Sequence, residues 1–188
     1  MLEHPMDMPV KIESGKFLGS VVIPHSLSGL SPFQIRGAIY AGVVSIISQT
    51  KPVTLSEDSI RVRGQIGNLI GHTVDRPTVG NNCSISITES HIQTNLTDED
   101  ETLLFNHKFT CISFTGTSIP YRDNIFVYVA QLNHNNREDY DDESESRQLF
   151  IFEFTNPFTA EKIFKTLNTV KETPFRKHVE KYPLDLIS

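Results

Sequence analysis

The sequence has no tryptophan, only two cysteines, and no hydrophobic run long enough to cross a membrane. Cys83 and Cys111 lie far apart and form no C-x-x-C motif, which excludes a disulfide framework and a cysteine-based metal site. Each lies in a run of alternating apolar and polar residues, so we expect two buried free thiols. The first 15 residues contain no apolar signal segment, and we therefore expect a cytoplasmic protein.

Basic residues are also scarce, because 17 Lys and Arg stand against 23 Asp and Glu and the net charge is −6. Proteins that bind nucleic acid neutralise its phosphates with clustered Lys and Arg, so this balance argues against nucleic acid as a partner. A chain of 188 residues can bury a core of its own. We expect one monomeric domain without a nucleic-acid function.

The motifs that usually carry catalysis are missing as well. The seven histidines are scattered without the spacing of metal ligands. The sequence contains no nucleophile elbow, no phosphate-binding P-loop and no dinucleotide fingerprint. We therefore predict no catalytic residue, no metal and no cofactor, and a protein that works by binding.

The first half of the chain predicts one strand and one helix. Residues 1–15 are expected to be a flexible lead-in, and KFLGSVVI at 16–23 is rich in β-formers and is followed by Pro24. SPFQIRGAIYAGVVSIIS at 31–48 predicts a helix with apolar residues at helical spacing. Ser31 can cap this helix and Pro32 suits its first position. Residues 50–80 form an insert in which no element is predicted.

From residue 81 onward the apolar pattern alternates with a period of two, which is typical of short strands. An acidic loop at 133–146 interrupts this pattern before a final helix, for which Asn156 is the predicted cap and Pro157 the first-turn residue. The helix is expected to end near Thr173 and Pro174, with a tail at 181–188. The predicted strands read CSISITES, HIQTNL, TLLFNH, FTCISF, NIFVYVAQL and QLFIFEF.

This order of elements predicts an α+β fold of the pleckstrin-homology-like (PH-like) type. We expect a seven-stranded antiparallel sheet sandwich, or partly open barrel, capped by the C-terminal helix, with an extra helix after the first strand. FTCISF is the predicted edge strand, and the last helix lies beside it. An extended peptide can add to such an edge as a further strand along residues 109–114. The fold alone does not specify a function, because function depends on the particular residues of the site.

Several of these segments together resemble a phosphotyrosine-binding (PTB) domain of the Shc adaptor type over about residues 16–180. The resemblance rests on KFLGSVVI before a helix and a long insert, then LLFNHKFTCISFTG, IFVYVAQ, RQLFIFEF and FTAEKIFKTLNTVKETPFRKHV. It implies an adaptor that binds Asn-Pro-x-Tyr peptides of receptors or signalling proteins, in tyrosine-kinase signalling. It also implies recruitment to the inner face of the plasma membrane.

The resemblance further implies particular ligand contacts. Its phosphotyrosine positions correspond to Arg147, Ser113, Gln131 and Ser28, of which the last two replace a Lys and an Arg of the family pattern. Lys171 replaces an aromatic residue that packs on the upstream part of the peptide. The remaining residues expected to line the peptide groove are Phe109, Cys111, Ile112, Phe114, Phe164 and Leu167.

Other interpretations of these residues remain open at the level of sequence. Arg147 is either the phosphate receptor, a charge that protects a strand edge from pairing, or an ion-pair partner of the acidic loop. Peptide binding independent of phosphorylation is an alternative, because two cationic contacts are replaced. A third alternative is an acidic phospholipid, such as a phosphoinositide, held by the C-terminal basic cluster of Lys171, Arg176, Lys177, His178 and Lys181.

Overall fold

A computed structural model describes residues 11–24, 26–50, 70–74, 80–97, 101–119, 122–132 and 147–181. The acidic loop at 133–146 and most of the insert at 50–80 lie outside this part. The helices are α1 (Pro32–Thr50) and α2 (Pro157–Lys181). The strands are β1 (Lys11–Val22), β2 (Thr73–Val74), β3 (Asn82–Ile87), β4 (His91–Leu96), β5 (Leu103–Lys108), β6 (Ile112–Ile119), β7 (Arg122–Gln131) and β8 (Arg147–Glu153).

Seven of these strands form one antiparallel sheet in the order β5-β4-β3-β1-β8-β7-β6, and the short β2 pairs with β1. The long β1 joins the two halves, because its first part pairs with β3 and its second part with β8. The pairing of β1 with β8 shifts its register between Phe17 and Gly19, close to the point where β1 passes from one half of the sheet to the other. The predicted α+β class is confirmed by this antiparallel sheet, its C-terminal helix and the extra helix after β1.

The two faces of the sheet carry separate cores, named here by the helix that covers each. On β8, Phe150 and Phe152 belong to the α2-face core, whereas Leu149 and Ile151 belong to the α1-face core. Alternate residues of a strand point to opposite faces, so a strand buried on both faces is apolar throughout. This explains why QLFIFEF does not show the polar alternation of the outer strands.

Both helices begin as the sequence predicts. In α1, the Ser31 hydroxyl accepts a hydrogen bond from the Gln34 amide at 3.2 Å, and the Gln34 side chain accepts one from the Ser31 amide at 2.9 Å. This reciprocal pair is a capping box. In α2, the Asn156 side chain accepts a hydrogen bond from the Thr159 amide at 2.9 Å. The predicted cap roles of Ser31 and Asn156 are confirmed.

Several predicted boundaries were wrong, and three of the differences have a clear physical reason. Strand β1 starts at Lys11 rather than residue 16, because its first part pairs with β3. Phe109–Cys111 is a 3-10 turn, because the chain there passes from β5, at one end of the strand order, to β6, at the other end. Helix α2 continues past Pro174 to Lys181. An interior proline removes one backbone hydrogen bond and crowds the carbonyl one turn earlier, but a helix anchored by its earlier turns can continue beyond it.

The cysteines differ in burial, and one expectation needs correction. Cys83 is fully buried on β3, as predicted. Cys111 is only half-buried, because it lies in the 3-10 turn rather than inside a strand. No helix in the described ranges is long and apolar enough to cross a membrane.

Candidate functional site

The candidate site lies along β6, which ends the strand order of the sheet. Within the described ranges, its strand partner is β7. The backbone groups of an outer strand that face away from its neighbour can pair with another chain. Helix α2 packs against both β6 and β7. The space between β6 and α2 is called the β6–α2 groove below.

A β-bulge at Ser113 shapes the start of β6. Ile112 is opposite Ala130 and Phe114 is opposite Val129, so Ser113 is an extra residue on β6. Strict alternation would place Ile112 and Phe114 on the same face, but Ile112 packs in the α2-face core and Phe114 against the α1-face core. Ser113 itself is exposed at this bend, which fits the tendency of bulges to redirect side chains.

The α2 side of the groove carries three half-buried residues at positions i, i+4 and i+7, which place them on one side of the helix. They are Phe164, Asn168 and Lys171. The Thr115 hydroxyl donates a hydrogen bond to Asn168 Oδ1 at 3.1 Å. The Lys171 ammonium (Nζ) donates one to the carbonyl oxygen of Ile112 at 3.3 Å. Burial lowers the pKa of Lys171 below its ordinary value.

Thr115 and Asn168 were missed by the sequence reasoning. The spacing of Asn168 from Phe164 and Lys171 was a usable signal, since residues three or four apart are neighbours on a helix surface. Thr115 gave no such signal, because its face depends on the bulge at Ser113.

Three of the residues predicted to line the groove do not present their side chains to it, and one of them is Ile112, which is buried in the α2-face core. Leu167 is fully buried in the α2-face core, because it belongs to the stripe that holds the helix to the sheet. Phe114 lies on the opposite face of the sheet, beside Gly116. A Cβ added to Gly116 would lie 2.9 Å from a carbon of the Phe114 ring. Phe109 and Cys111 are half-buried in the turn that precedes β6, and Phe109 packs against the α2-face core.

The residues predicted to contact phosphate lie at the ends of neighbouring strands. Arg147 is directly opposite Gln131, and the next pair, Gln148 and Ala130, is in register with Ile112. Neighbouring strands are about 4.8 Å apart, so the backbones of Arg147 and Ser113 are separated by roughly 10 Å. Arg147 is half-buried, whereas Gln131 and Ser113 are exposed. By strand alternation, Arg147 and Gln131 belong to the α1 face.

The loop between β1 and α1 leaves the sheet at this same end. The Ile23 amide, just after β1, donates a hydrogen bond to the Arg147 carbonyl at 2.8 Å. Ser28 follows in this loop and is exposed. The loop that carries Ser28 therefore begins beside the strand end that carries Arg147.

Helix α1 carries one exposed cation, Arg36, close to its first turn. Ile46 lies over Gly19 of β1, and Gly42 lies over Leu149 of β8, so the start of α1 points towards the strand end that carries Arg147. With a rise of about 1.5 Å per residue, Arg36 is about 9 Å beyond Gly42 along the helix, near the level of that strand end. The helix axis, which sequence alone does not give, thus brings the backbone of Arg36 near the level of this strand end.

Other parts of the described chain offer less chemistry. None of its His, Cys, Asp and Glu residues form a group of three that could hold a metal ion. An open depression lies at the opposite end of β1 and β8, lined by residues that include Lys16, Asn82, Asn124 and Glu153. Lys16 and Glu153 are opposite each other in the sheet there. This depression is remote from the strand end that carries Arg147.

Comparison with known proteins finds similarity among solved structures. No family model matches the chain, and no curated protein matches it. Among solved structures, it is similar to the solution structure of the C-terminal phosphotyrosine interaction domain of APBB2 from mouse. The sequence identity is 8%, the TM-score is 0.47, and the alignment covers 89% of this chain and 93% of that one. So distant a likeness leaves the function to be argued from this chain's own residues.

Proposed function

We propose that this chain is an interaction module that binds an extended peptide as an added strand along β6, with α2 as the second side of the groove. The observation that carries this proposal is the position of β6 at the end of the sheet order, directly beside α2. Backbone hydrogen bonds of an added strand supply affinity, and flanking side chains supply selectivity. The role we assign is that of a binding adaptor.

The proposed ligand is an Asn-Pro-x-Tyr segment preceded by an extended stretch. A strand added antiparallel to β6 has its C-terminal end beside Ile112, the first residue of β6. A turn that follows the extended stretch then directs the tyrosine towards Ser113, Gln131 and Arg147. The register of β6, β7 and β8 supports this placement, because these residues belong to adjacent strand ends.

We further propose that binding is strengthened by phosphorylation of the tyrosine. A phosphotyrosine carries a charge of about −1.5 to −2 and three strong acceptor oxygens. Arg147 provides the guanidinium that suits it, and Ser113 an exposed hydroxyl. Gln131 and Ser28 offer only neutral donors. Charged hydrogen bonds contribute about 1.5–3 kcal/mol each and neutral ones about 0.5–1.5 kcal/mol, so replacing two charged donors by neutral ones weakens phosphopeptide binding by about 2–4 kcal/mol, or roughly 30- to 1,000-fold.

The cellular setting we propose is the cytoplasm, where a monomeric module is recruited to the inner face of the plasma membrane by receptor tails. Lipid binding has less support. The side chains of Arg176, Lys177, His178 and Lys181 lie outside the described part, and Lys171 contacts the groove instead. An acidic phospholipid therefore stays a sequence prediction.

Fluorescence anisotropy with an Asn-Pro-x-Tyr peptide, with and without phosphate on the tyrosine, tests this function. We expect the phosphate to tighten binding to the natural chain at least tenfold, which corresponds to about 1.4 kcal/mol. Arg147→Ala should remove most of that gain and leave the unphosphorylated peptide unaffected.

The matched control is Lys16→Ala, which removes the same charge at the opposite end of β1 and β8. It should preserve the gain from phosphate. If both peptides bind alike and Arg147→Ala has no effect, the groove serves an unmodified partner. If neither peptide binds, the proposed function is wrong.

A further inference from the structure

Lys171 is the cation that α2 places against the start of β6. Its ammonium is 3.3 Å from the carbonyl oxygen of Ile112, and the residue is half-buried. Two other lysines of α2 differ, because Lys162 pairs with Glu13 at 3.3 Å and Lys165 with Glu161 at 2.6 Å. In the described ranges, the acceptor of Lys171 is a neutral carbonyl and not a carboxylate.

A cation in this position is incompletely compensated. Removing an ammonium from water is costly unless a hydrogen-bonded opposite charge replaces the water, and a carbonyl oxygen supplies only a partial charge. The lowered pKa of Lys171 has the same cause, since burial disfavours the charged form. Part of the desolvation has already occurred in the unliganded protein, because Lys171 is half-buried. A carboxylate that enters the groove would gain an ion pair in partly water-excluded surroundings, where such pairs are stronger than in bulk water.

We propose that Lys171 makes the β6–α2 groove select peptides with an aspartate or glutamate just upstream of the tyrosine turn; this inference rests on the proposed function. The position follows from the contact with Ile112, beside which the extended part of an antiparallel ligand ends. Three residues further along β6, the groove presents the uncharged Thr115 and Asn168. The acidic preference is therefore confined to the residues next to the turn.

The test uses tyrosine-phosphorylated peptides in which one of the three residues before the Asn-Pro-x-Tyr turn is Glu, Gln or Lys. Gln matches Glu in shape and lacks its charge, so the pair isolates the electrostatic contribution. We expect Glu at one of these positions to bind the natural chain about tenfold tighter than Gln, and Lys to bind most weakly. The Glu preference should shrink as salt is raised, because the ion pair is only partly shielded from solvent.

Variants of Lys171 assign the effect to this residue. Lys171→Met keeps the aliphatic length and should abolish the preference for Glu over Gln, while Lys171→Glu should reverse it in favour of Lys. Lys171→Arg should retain the preference, which keeps the test meaningful if the Met variant folds poorly. Lys165→Met is the matched control, because Lys165 is exposed and pairs with Glu161 on the same helix.

The outcomes separate this inference from the proposed function. If all peptides bind but Glu and Gln are equivalent at every position, the inference is overturned and the groove remains. A preference for Glu that survives Lys171→Met also overturns it. If no peptide binds the natural chain, the proposed function fails and the inference fails with it.

Discussion

At the scale of single residues, Ser113 shows how one extra amino acid in a strand decides on which face of the sheet the neighbouring side chains pack. Because β6 has one residue more than β7 between Ile112 and Phe114, these two apolar residues pack on opposite faces of the sheet. Ser113 is left exposed at the end where Arg147 and Gln131 are paired. The sequence ISF is compatible with a regular strand and with a bulged one, so this arrangement could not be predicted from the sequence.

Cys83 gives a residue-scale prediction about stability. Burial raises the pKa of its thiol from 9.0 to about 11, against a smaller opposing effect of a backbone hydrogen bond involving Phe17. The unfolded chain ionises near the lower value and the folded chain near the higher one. The stability contributed by the neutral thiol is therefore complete below pH 9.0 and is lost as the pH rises towards about 11.

Urea unfolding of the natural chain and of Cys83→Ala across this range checks the prediction. The difference in unfolding free energy between them should be constant up to about pH 8 and fall by about 2–3 kcal/mol by pH 11, since one pKa unit corresponds to about 1.4 kcal/mol. A difference that stays constant throughout would show that the buried thiol does not titrate as described.

At the scale of elements, α1 is held against the sheet by close approaches that need glycine. Gly19 has a φ of 144°, and a Cβ there would lie 2.9 Å from the Cδ1 atom of Ile46. A Cβ on Gly42 would lie 2.7 Å from a methyl carbon of Leu149. These contacts set the direction of α1 and hence the position of Arg36. The weak helix propensity of glycine in α1 is thus offset by tertiary packing.

A pair of glycine substitutions separates backbone strain from packing. Gly29 has a φ of 86° with nothing within 4 Å of an added Cβ, so Gly29→Ala should lower the unfolding free energy by only about 1–2 kcal/mol. Gly19→Ala adds a clash with Ile46 and should lower it by about 2–4 kcal/mol. Thermal or urea unfolding measures both. Equal losses would contradict the close packing of α1 on β1.

At the scale of the whole molecule, sequence periodicity predicted the class of fold and most elements. HIQTNL became β4 without a boundary error, and the caps Ser31 and Asn156 form as predicted. Alternation and capping are local properties, so a single sequence reveals them. The turn at Phe109–Cys111 and the helix beyond Pro174 depend on where the chain must go next, which local patterns do not specify.

Only part of the candidate site could be predicted from the sequence, because local patterns do not give the positions of residues in space. Arg147, Ser113, Gln131 and Ser28 were chosen through a family resemblance, and only the strand register gives their spatial relation. Leu167 was misjudged because a helical apolar stripe does not show which members are fully covered by the sheet. The polar groove contacts of Asn168 and Lys171 required the packing of α2 on β6.

The central claim is that β6, and not the other outer strand, accepts a peptide. Amide hydrogen exchange, measured with a saturating phosphorylated Asn-Pro-x-Tyr peptide, tests it most directly. Strands β5 and β6 both end the sheet order, so β5 is an internal control. We predict slower exchange within Ile112–Ile119, where an added strand supplies hydrogen-bond partners, and no change within Leu103–Lys108. Unchanged exchange in β6 while the peptide is bound, or protection of β5 instead, would contradict the account.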